Sequence, residues 1–376
     1  MRIGLLGGCF DPVHCAHLAL ARAAKDGLGL DMVLIMPSGK PPYKRCHASR
    51  ADRLNMAMLA SAGSDWLKVC DIEIMRPGET YALDTLRALK RRYGDAELVY
   101  ILGADAAAKV SKWRGADEIL KICRIACVAR GKNDACPDGM LRLDATLDDI
   151  SSSKVREMVN CGGNIEGLVP EKVREYIAQR GLYISDMTED EIIGDLRTRL
   201  KRTRFEHTMG VAETAAELAR LNGLPGGRAY VAGLIHDCAK NLTDGELLDM
   251  AERAGADGDE VRCMQVLHAP VGALVARERY GINDPGVLSA VRRHTVGGPG
   301  MSLLDIIIYL ADFIEPGRRP FAGLDAVRDM ARRDVRRAAV MCAESTRDYQ
   351  LSQGAAVHPV TELMISEIRH GGMNNG

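Results

Sequence analysis

The chain has 376 residues, 47% hydrophobic and 27% charged, with a formal net charge of −1. That length and apolar content predict two soluble domains of ordinary size. A balance so near neutrality gives no field to attract nucleic acid or a membrane surface, and neither is expected as a partner.

Along residues 1–185 short apolar runs alternate with amphipathic stretches. RIGLLGG, DMVLIMP, LKVCDIEI, AELVYILGA and CRIACVAR read as strands, with helical patterns such as SRADRLNMAMLASAG and ALDTLRALKRRY between them. Such alternation predicts an α/β, Rossmann-like parallel sheet wrapped by helices, with ligands at the carboxyl ends of the strands. After VPEKVREYIAQRGLYIS comes SDMTEDE, acidic and without periodicity, which reads as a linker into a helix. Residues 186–376 then read as helix nearly throughout, so an all-α bundle is expected for the second domain. Its most apolar run, LLDIIIYLADFI, is short and broken by Asp305 and Asp312, too little to span a bilayer. The first strand pattern begins at Met1, which leaves no room for a signal peptide, and a cytoplasmic location is expected. Eleven cysteines without regular spacing, several inside apolar patterns (Cys123, Cys127, Cys238), read as reduced thiols.

Within GGCFDPVHCAH, His14 and His17 are three apart and share one face of a helical turn. Gly7 and Gly8 let backbone pass close to a ligand, and a helix start offers free N–H groups and a positive dipole end. Two imidazoles there suit a polyphosphate. The same pattern also fits N-capping, or a zinc pair, although no third or fourth zinc ligand stands out.

GGCFDPVHCAH resembles the GGTFDPxHxGH signature of nucleotidyltransferases, and ISSSKVR resembles their ISSTxIR motif. PSGKPPYK, YALDTL, ILGADAAAKVSKW and LVPEKVREYI follow the order found in bacterial nicotinate-nucleotide adenylyltransferases. The resemblance implies an ATP site made by Gly7, Gly8, Phe10, His14, His17, Gly103, Asp105, Ser151, Ser152 and Arg156. His14, His17, Lys44 and Arg156 would carry the catalysis, and Lys44, Thr85 and Trp113 would meet the mononucleotide. Mg²⁺ would accompany ATP. Attack of the mononucleotide phosphate on the α-phosphorus releases pyrophosphate, a step governed by positioning and charge. This sequence departs from the pattern at Cys9 (usually Thr), Ala16 (usually Gly), Tyr43 (commonly His) and Ser153 (usually Thr). Trp113 also fits a role as a core anchor.

In the helical half, His207, His236, Asp237, His268, His294 and Asp312 stand out. Asp237 follows His236 within VAGLIHDCAK, read as an apolar helix, and Asp312 lies in IIIYLADFI. A carboxylate buried there is costly unless a cation or strong donors offset it. Four imidazoles and two carboxylates from separate helices suit a two-metal site in a bundle core. On a continuous helix Lys240 would share a face with His236 and point toward bound phosphates. Arg318, in the loop after Asp312, could reach the same phosphates or simply be surface charge.

The phrases RFEHTMGVAETA, GLIHDCAK, LHAPVGA, VRRHTVGG and YLADFIEPGR resemble the HD-domain phosphohydrolases of the symmetrical bis(5'-nucleosyl)-tetraphosphatase type. That resemblance implies two divalent metals, iron or manganese, with Asp237 and Lys240 catalytic and Arg318 on the substrate. Ala269 stands where that family often has Gly. Together the two resemblances imply a bifunctional enzyme with domains 1–185 and 186–376, acting on ATP, nicotinate mononucleotide and diadenosine tetraphosphate, with an oligomer possible. Two rival readings are adenylyl transfer to another phosphorylated acceptor, such as nicotinamide mononucleotide, and a helical half that acts on other nucleotides or serves as a regulatory module without turnover.

Overall fold

Six strands form in the first part of the chain: β1 (Arg2–Gly8), β2 (Met32–Pro37), β3 (Leu67–Val69), β4 (Glu97–Gly103), β5 (Arg124–Ala129) and β6 (Leu141–Asp144). They make one sheet in the order β3-β2-β1-β4-β5-β6, and every neighbouring pair is parallel. The structure, a computed structural model, describes residues 1–41, 45–129, 136–145, 148–354 and 357–371. It divides into two units, Met1–Glu157 with Asn164–Tyr176, and Met158–Gly163 with Ile177–Gly376.

β1, β2, β4 and β5 are buried along most of their lengths, as expected for central parallel strands covered on both faces. The sequence did not announce β6. It is a four-residue edge strand, LRLD, in which only Leu143 is buried, so no apolar run marks it. β3 is shorter than LKVCDIEI implied. Pairing along β2 ends with the Cys70 N–H bond to Ile35, and the chain then turns, Met75 N–H bonding back to Asp71.

β1 pairs with β4 only from Arg2↔Glu97 to Leu5↔Tyr100. Yet β1 continues along β2 to Gly8↔Pro37, and β4 along β5 to Gly103↔Val128. The two central strands therefore part at their carboxyl ends, where the strand order reverses direction. In sheets of this topology that crevice is where ligands bind.

The expectation of reduced thiols throughout needs correction. Cys127 in β5 and Cys136 form a disulfide with Cα atoms 5.8 Å apart. Both pack into the core on one side of the sheet, which brings together side chains nine residues apart.

The second unit is helical, with no strand among its described residues. Polar caps start several of its helices. Thr188 and Glu191 cap Glu189–Arg199, Thr243 and Glu246 cap Asp244–Ala251, and Ser302 and Asp305 cap Leu303–Ile314. The segment SDMTEDE thus supplies a helix start, as its texture suggested. A single aliphatic core joins Leu196, Val211, Leu234, Val271, Val291, Ile307 and their neighbours. One reading is corrected here: the helix Gly226–Ile235 stops before His236, which is its C-cap. From there the backbone tightens into turns, with Cys238 N–H bonding to Ile235 and Lys240 N–H to Asp237. His236, Asp237 and Lys240 therefore share a turn rather than a helix face. Among the described residues no helix is long and apolar enough to cross a membrane.

Candidate functional site

In the first unit, residues 9–14 lead from β1 into the helix Cys15–Leu28. The Asp11–Pro12 bond is cis, and the Phe10 ring is buried. Asp11 is buried too, and its carboxylate accepts backbone N–H bonds from His47 (2.6 Å) and Ala48 (3.0 Å). Arg53 is 1% exposed. It donates to the carbonyls of Cys9 (3.0 Å), Ser38 (2.6 Å), Gly39 (3.0 Å) and Ala48 (3.4 Å). One buried guanidinium thus fastens together the loops that follow β1 and β2. A Cβ on Gly7 would come within 2.7 Å of the Tyr100 hydroxyl, so this glycine answers to packing against β4. At Gly8 the same atom would only touch the Phe10 ring, at 3.5 Å.

His14 is the N-cap of the helix, and its backbone N–H donates to Nδ1 of His17 at 3.2 Å. The rings stack with centroids 3.6 Å apart. A neutral His17 that accepts at Nδ1 carries its proton on Nε2, where it is a donor. Capping and phosphate binding, open alternatives in the sequence, are therefore compatible on these two residues. Neither histidine belongs to a group of three metal-ligating side chains among the described residues.

The ISSSKVR segment closes on this loop from 140 residues away: Ser152 Oγ donates to the Pro12 carbonyl at 2.9 Å. Arg156 donates to the Asp11 carbonyl (2.7 Å) and to Ser153 Oγ (3.2 Å). Ser151 Oγ accepts from Lys154 N–H (3.2 Å) at the start of the helix Ser152–Asn160. Gly103 and Asp105 are exposed where β4 ends. Trp113 is half-buried, its ring edge-on to Tyr100 at 5.9 Å. Thr85 is 1% exposed, and its hydroxyl is committed to Glu73 at 2.9 Å. Burial pushes the Glu73 carboxyl up. Lys44 and Tyr43 lie outside the described residues.

In the second unit, the six histidine and aspartate positions converge. Asp312 Oδ1 lies 3.0 Å from His207 Nε2 and 4.0 Å from His236 Nε2. Asp237 turns one oxygen to His268 (3.2 Å) and His294 (3.6 Å), and the other to His236 (3.4 Å). His268 and His294 approach to 3.2 Å at Nε2. Two overlapping triplets, His207–His236–Asp312 and His236–Asp237–His294, have ligand atoms within 4.8 Å of one another. His236 Nδ1 bonds the Gly233 carbonyl (2.6 Å) and His294 Nδ1 the Val291 carbonyl (2.7 Å). Those carbonyls fix the proton on Nδ1 and turn each Nε2 lone pair into the cluster. His236 Nε2 is buried without a hydrogen-bond partner. The donor set fits divalent metal ions, with Asp237 between two groups of ligands.

Electrostatics agree. Burial alone would raise the Asp237 carboxyl, but His236, His268 and His294 hold it well below the usual carboxylate range. Burial pushes His268 down to about 4, leaving it neutral and able to ligate near pH 7. Burial also lowers the Lys240 ammonium, whose Nζ lies 3.3 Å from the His268 ring nitrogens. Arg318 donates to the Asp312 carboxylate (2.7 Å) and carbonyl (2.9 Å). A cavity of about 670 Å³ opens here, lined by Lys240, His268, His294, Asp312, Phe313 and Arg318 among others. That volume suits a nucleotide-sized ligand.

Sequence reasoning missed two neighbours of this cluster. Arg204 Nη1 bonds Asp237 at 2.7 Å, and Glu315 Oε1 lies 3.1 Å from His207 Nδ1. Each is three residues from a member of the cluster (Arg204 from His207, Glu315 from Asp312), and that spacing was the available signal.

Residues 5–158 match the cytidylyltransferase-like family and residues 204–317 the HD domain family. Fold and site thus define a nucleotidyltransferase-type α/β unit followed by an HD-type helical unit. A Mycoplasma pneumoniae protein named a probable nicotinate-nucleotide adenylyltransferase/Ap4A hydrolase is 30% identical over 357 residues, 92% of this chain and 99% of that protein. The chain belongs to this two-domain family. A probable nicotinate-nucleotide adenylyltransferase of Dehalococcoides mccartyi is 41% identical over 199 residues, 49% of this chain and 97% of that protein. A crystal structure from Clostridium acetobutylicum, described as a predicted HD superfamily hydrolase involved in NAD metabolism, is 36% identical. It covers 49% of this chain and 98% of its own, with a TM-score of 0.47.

Proposed function

We propose that the chain is a bifunctional enzyme. Its α/β unit transfers the adenylyl group of ATP to nicotinate mononucleotide, giving deamido-NAD and pyrophosphate. Its helical unit hydrolyses diadenosine tetraphosphate to two ADP. The parting of β1 and β4 after Leu5 and Tyr100, with the loop to the stacked His14–His17 pair leaving from the end of β1, supports the first half of this reading. The mononucleotide phosphate attacks the α-phosphorus and the bond to pyrophosphate breaks. His17, a donor at Nε2, and His14 stabilise the charge growing on phosphate oxygens, and Lys44 and Arg156 add positive charge. Arg156 has donors beyond the two it spends on the Asp11 carbonyl and Ser153. Mg²⁺ bound with ATP would screen the triphosphate.

The convergence of Asp237 with His236, His268 and His294 carries the second half. His207, His236, Asp237, His268, His294 and Asp312 would hold two divalent cations, iron or manganese, which supply Lewis acidity and a water acidified toward neutral pH. Lys240 and Arg318, lining the cavity beside them, orient and neutralise the polyphosphate.

Purified full-length protein tests both halves. With ATP and nicotinate mononucleotide it should form deamido-NAD and pyrophosphate. A preference for nicotinamide mononucleotide or another acceptor would reject the first assignment. With diadenosine tetraphosphate and metal, chromatography should show only ADP. AMP plus ATP would reject the symmetrical cleavage, and no turnover with metal bound would favour a regulatory module.

A further inference from the structure

We propose that the helical unit carries a second, nucleotide-binding pocket behind the helices Met264–Tyr280 and Pro285–Arg293, separate from the metal-type cluster. The pocket has a volume of about 320 Å³, and Arg253, Arg277, Arg292 and Arg293 line it together with Ser289. Among the described residues no carboxylate lines it. Two of these guanidinium groups, Arg253 and Arg292, are paired with Glu278 and Glu260, so the net positive charge at the concavity comes from Arg277 and Arg293.

These arginines differ in how they are held. Arg292 donates to the carbonyls of Ala254 (2.9 Å) and Gly255 (2.8 Å) and to Glu260 (3.0 Å). Arg253 pairs with Glu278. Arg293 donates to the Pro299 carbonyl at 2.8 Å, which orients its guanidinium without cancelling the charge. Arg277 is exposed and makes no hydrogen bond or ion pair among the described residues. A pre-oriented fork beside an uncompensated one suits a phosphate group, which guanidinium binds through paired N–H donors. The remaining lining is apolar, with Pro270, Leu274 and Leu288 prominent. A lining that combines guanidinium groups with apolar side chains fits a phosphate attached to a ring that buries apolar surface, hence a nucleoside monophosphate rather than a free inorganic anion.

The location has a consequence for the neighbouring cluster. Pro270 is two residues from His268, and Arg292 and Arg293 immediately precede His294. An occupant would therefore be lined by residues one or two positions away in the chain from two of the clustered imidazoles.

The test counts AMP sites on the full-length protein by equilibrium dialysis, comparing wild type with Arg277→Glu and with the cavity-filling Ala273→Trp. Wild type should bind one more AMP per chain than either variant, or the variants should lose about tenfold or more in affinity at one site, the worth of a charge-assisted hydrogen bond. Adenosine and inorganic phosphate should each bind that site more weakly than AMP. Thermal melting verifies that the variants fold, and a single folded variant decides the matter. Equal AMP stoichiometry and affinity in wild type and a folded variant would overturn the proposal. So would inorganic phosphate binding as tightly as AMP, which would remove the ring from the recognition.

Discussion

Glu315 Oε1 lies 3.1 Å from Nδ1 of His207, whose Nε2 faces Asp312 at 3.0 Å. The Glu315 side chain is nearly fully buried and also accepts the Gly317 N–H at 2.5 Å. Gly210 leaves room for it, since a Cβ there would come 2.7 Å from Glu315 Oε2. A buried carboxylate on the far nitrogen of an imidazole fixes the ring's tautomer and orientation and raises its basicity. Glu315 is thus a positioning residue for His207.

Glu315→Ala should weaken metal binding by roughly 10–100-fold, with Glu315→Gln recovering part of the loss because its amide oxygen still accepts from Nδ1. Metal content after dialysis at fixed free-metal concentration measures this directly. An alanine variant that folds and keeps wild-type affinity would show that Glu315 only packs.

Replacing His17 or His14 by alanine should cost adenylyl transfer roughly 10²–10³ in turnover, by analogy with oxyanion donors. His17→Ala also removes the acceptor for the His14 N–H, so a small loss of stability should accompany it. Steady-state kinetics alongside thermal melting separate the two effects. Near-normal turnover in both single variants would refute the phosphate role.

Arg53→Met should destabilise the α/β unit, because Arg53 ties the loops after β1 and β2 together. Removing the guanidinium strands the buried carbonyls of Gly39 and Ala48, each costing roughly 1–3 kcal/mol where water cannot replace the donor, and frees the part-buried carbonyls of Cys9 and Ser38. The first unit should melt lower and KM for ATP should rise, because the loop bearing His14 loses its anchor. An unchanged melting curve would contradict this account.

Asp237→Ala should abolish metal binding and hydrolysis together while leaving adenylyl transfer intact. Lys240→Ala should retain metal and slow hydrolysis, since its Nζ approaches the His268 ring and lines the cavity. Metal analysis paired with the two activity assays distinguishes the variants. Full hydrolysis by a metal-free Asp237→Ala protein would end the metal reading.

Cutting the chain near Met187 is proposed to give two folded pieces, but the helical piece should be more stable when it begins at Ile177. Ile184 belongs to the helical core, Ser185 Oγ donates to the Tyr280 carbonyl (2.5 Å), and Gln179 accepts the Gly226 N–H (3.3 Å). Losing the burial of Ile184 alone is worth about 1.5–3 kcal/mol. Urea titrations of fragments 177–376 and 188–376 should show the difference. Equal midpoints would mean these contacts add nothing.

The sequence by itself determined the α/β-then-helical order, and it singled out the loop GGCFDPVHCAH and the six His and Asp residues that the fold clusters. Each is a local property: strand and helix periodicity, or residue types whose burial demands a partner. Tertiary structure decided what depends on distant chain segments meeting. It parted β1 from β4 after Leu5 and Tyr100, explained Gly7 through Tyr100, and brought Ser152 and Arg156 onto the carbonyls of Pro12 and Asp11. It also ended the helix at Ile235, so that a turn rather than a helix face aims His236 and Asp237. Arg53, Arg204 and Glu315 escaped sequence reading for the same reason. A charged residue on a helix or at its end looks like solvated surface until packing shows which carbonyls, carboxylates or imidazoles it must satisfy.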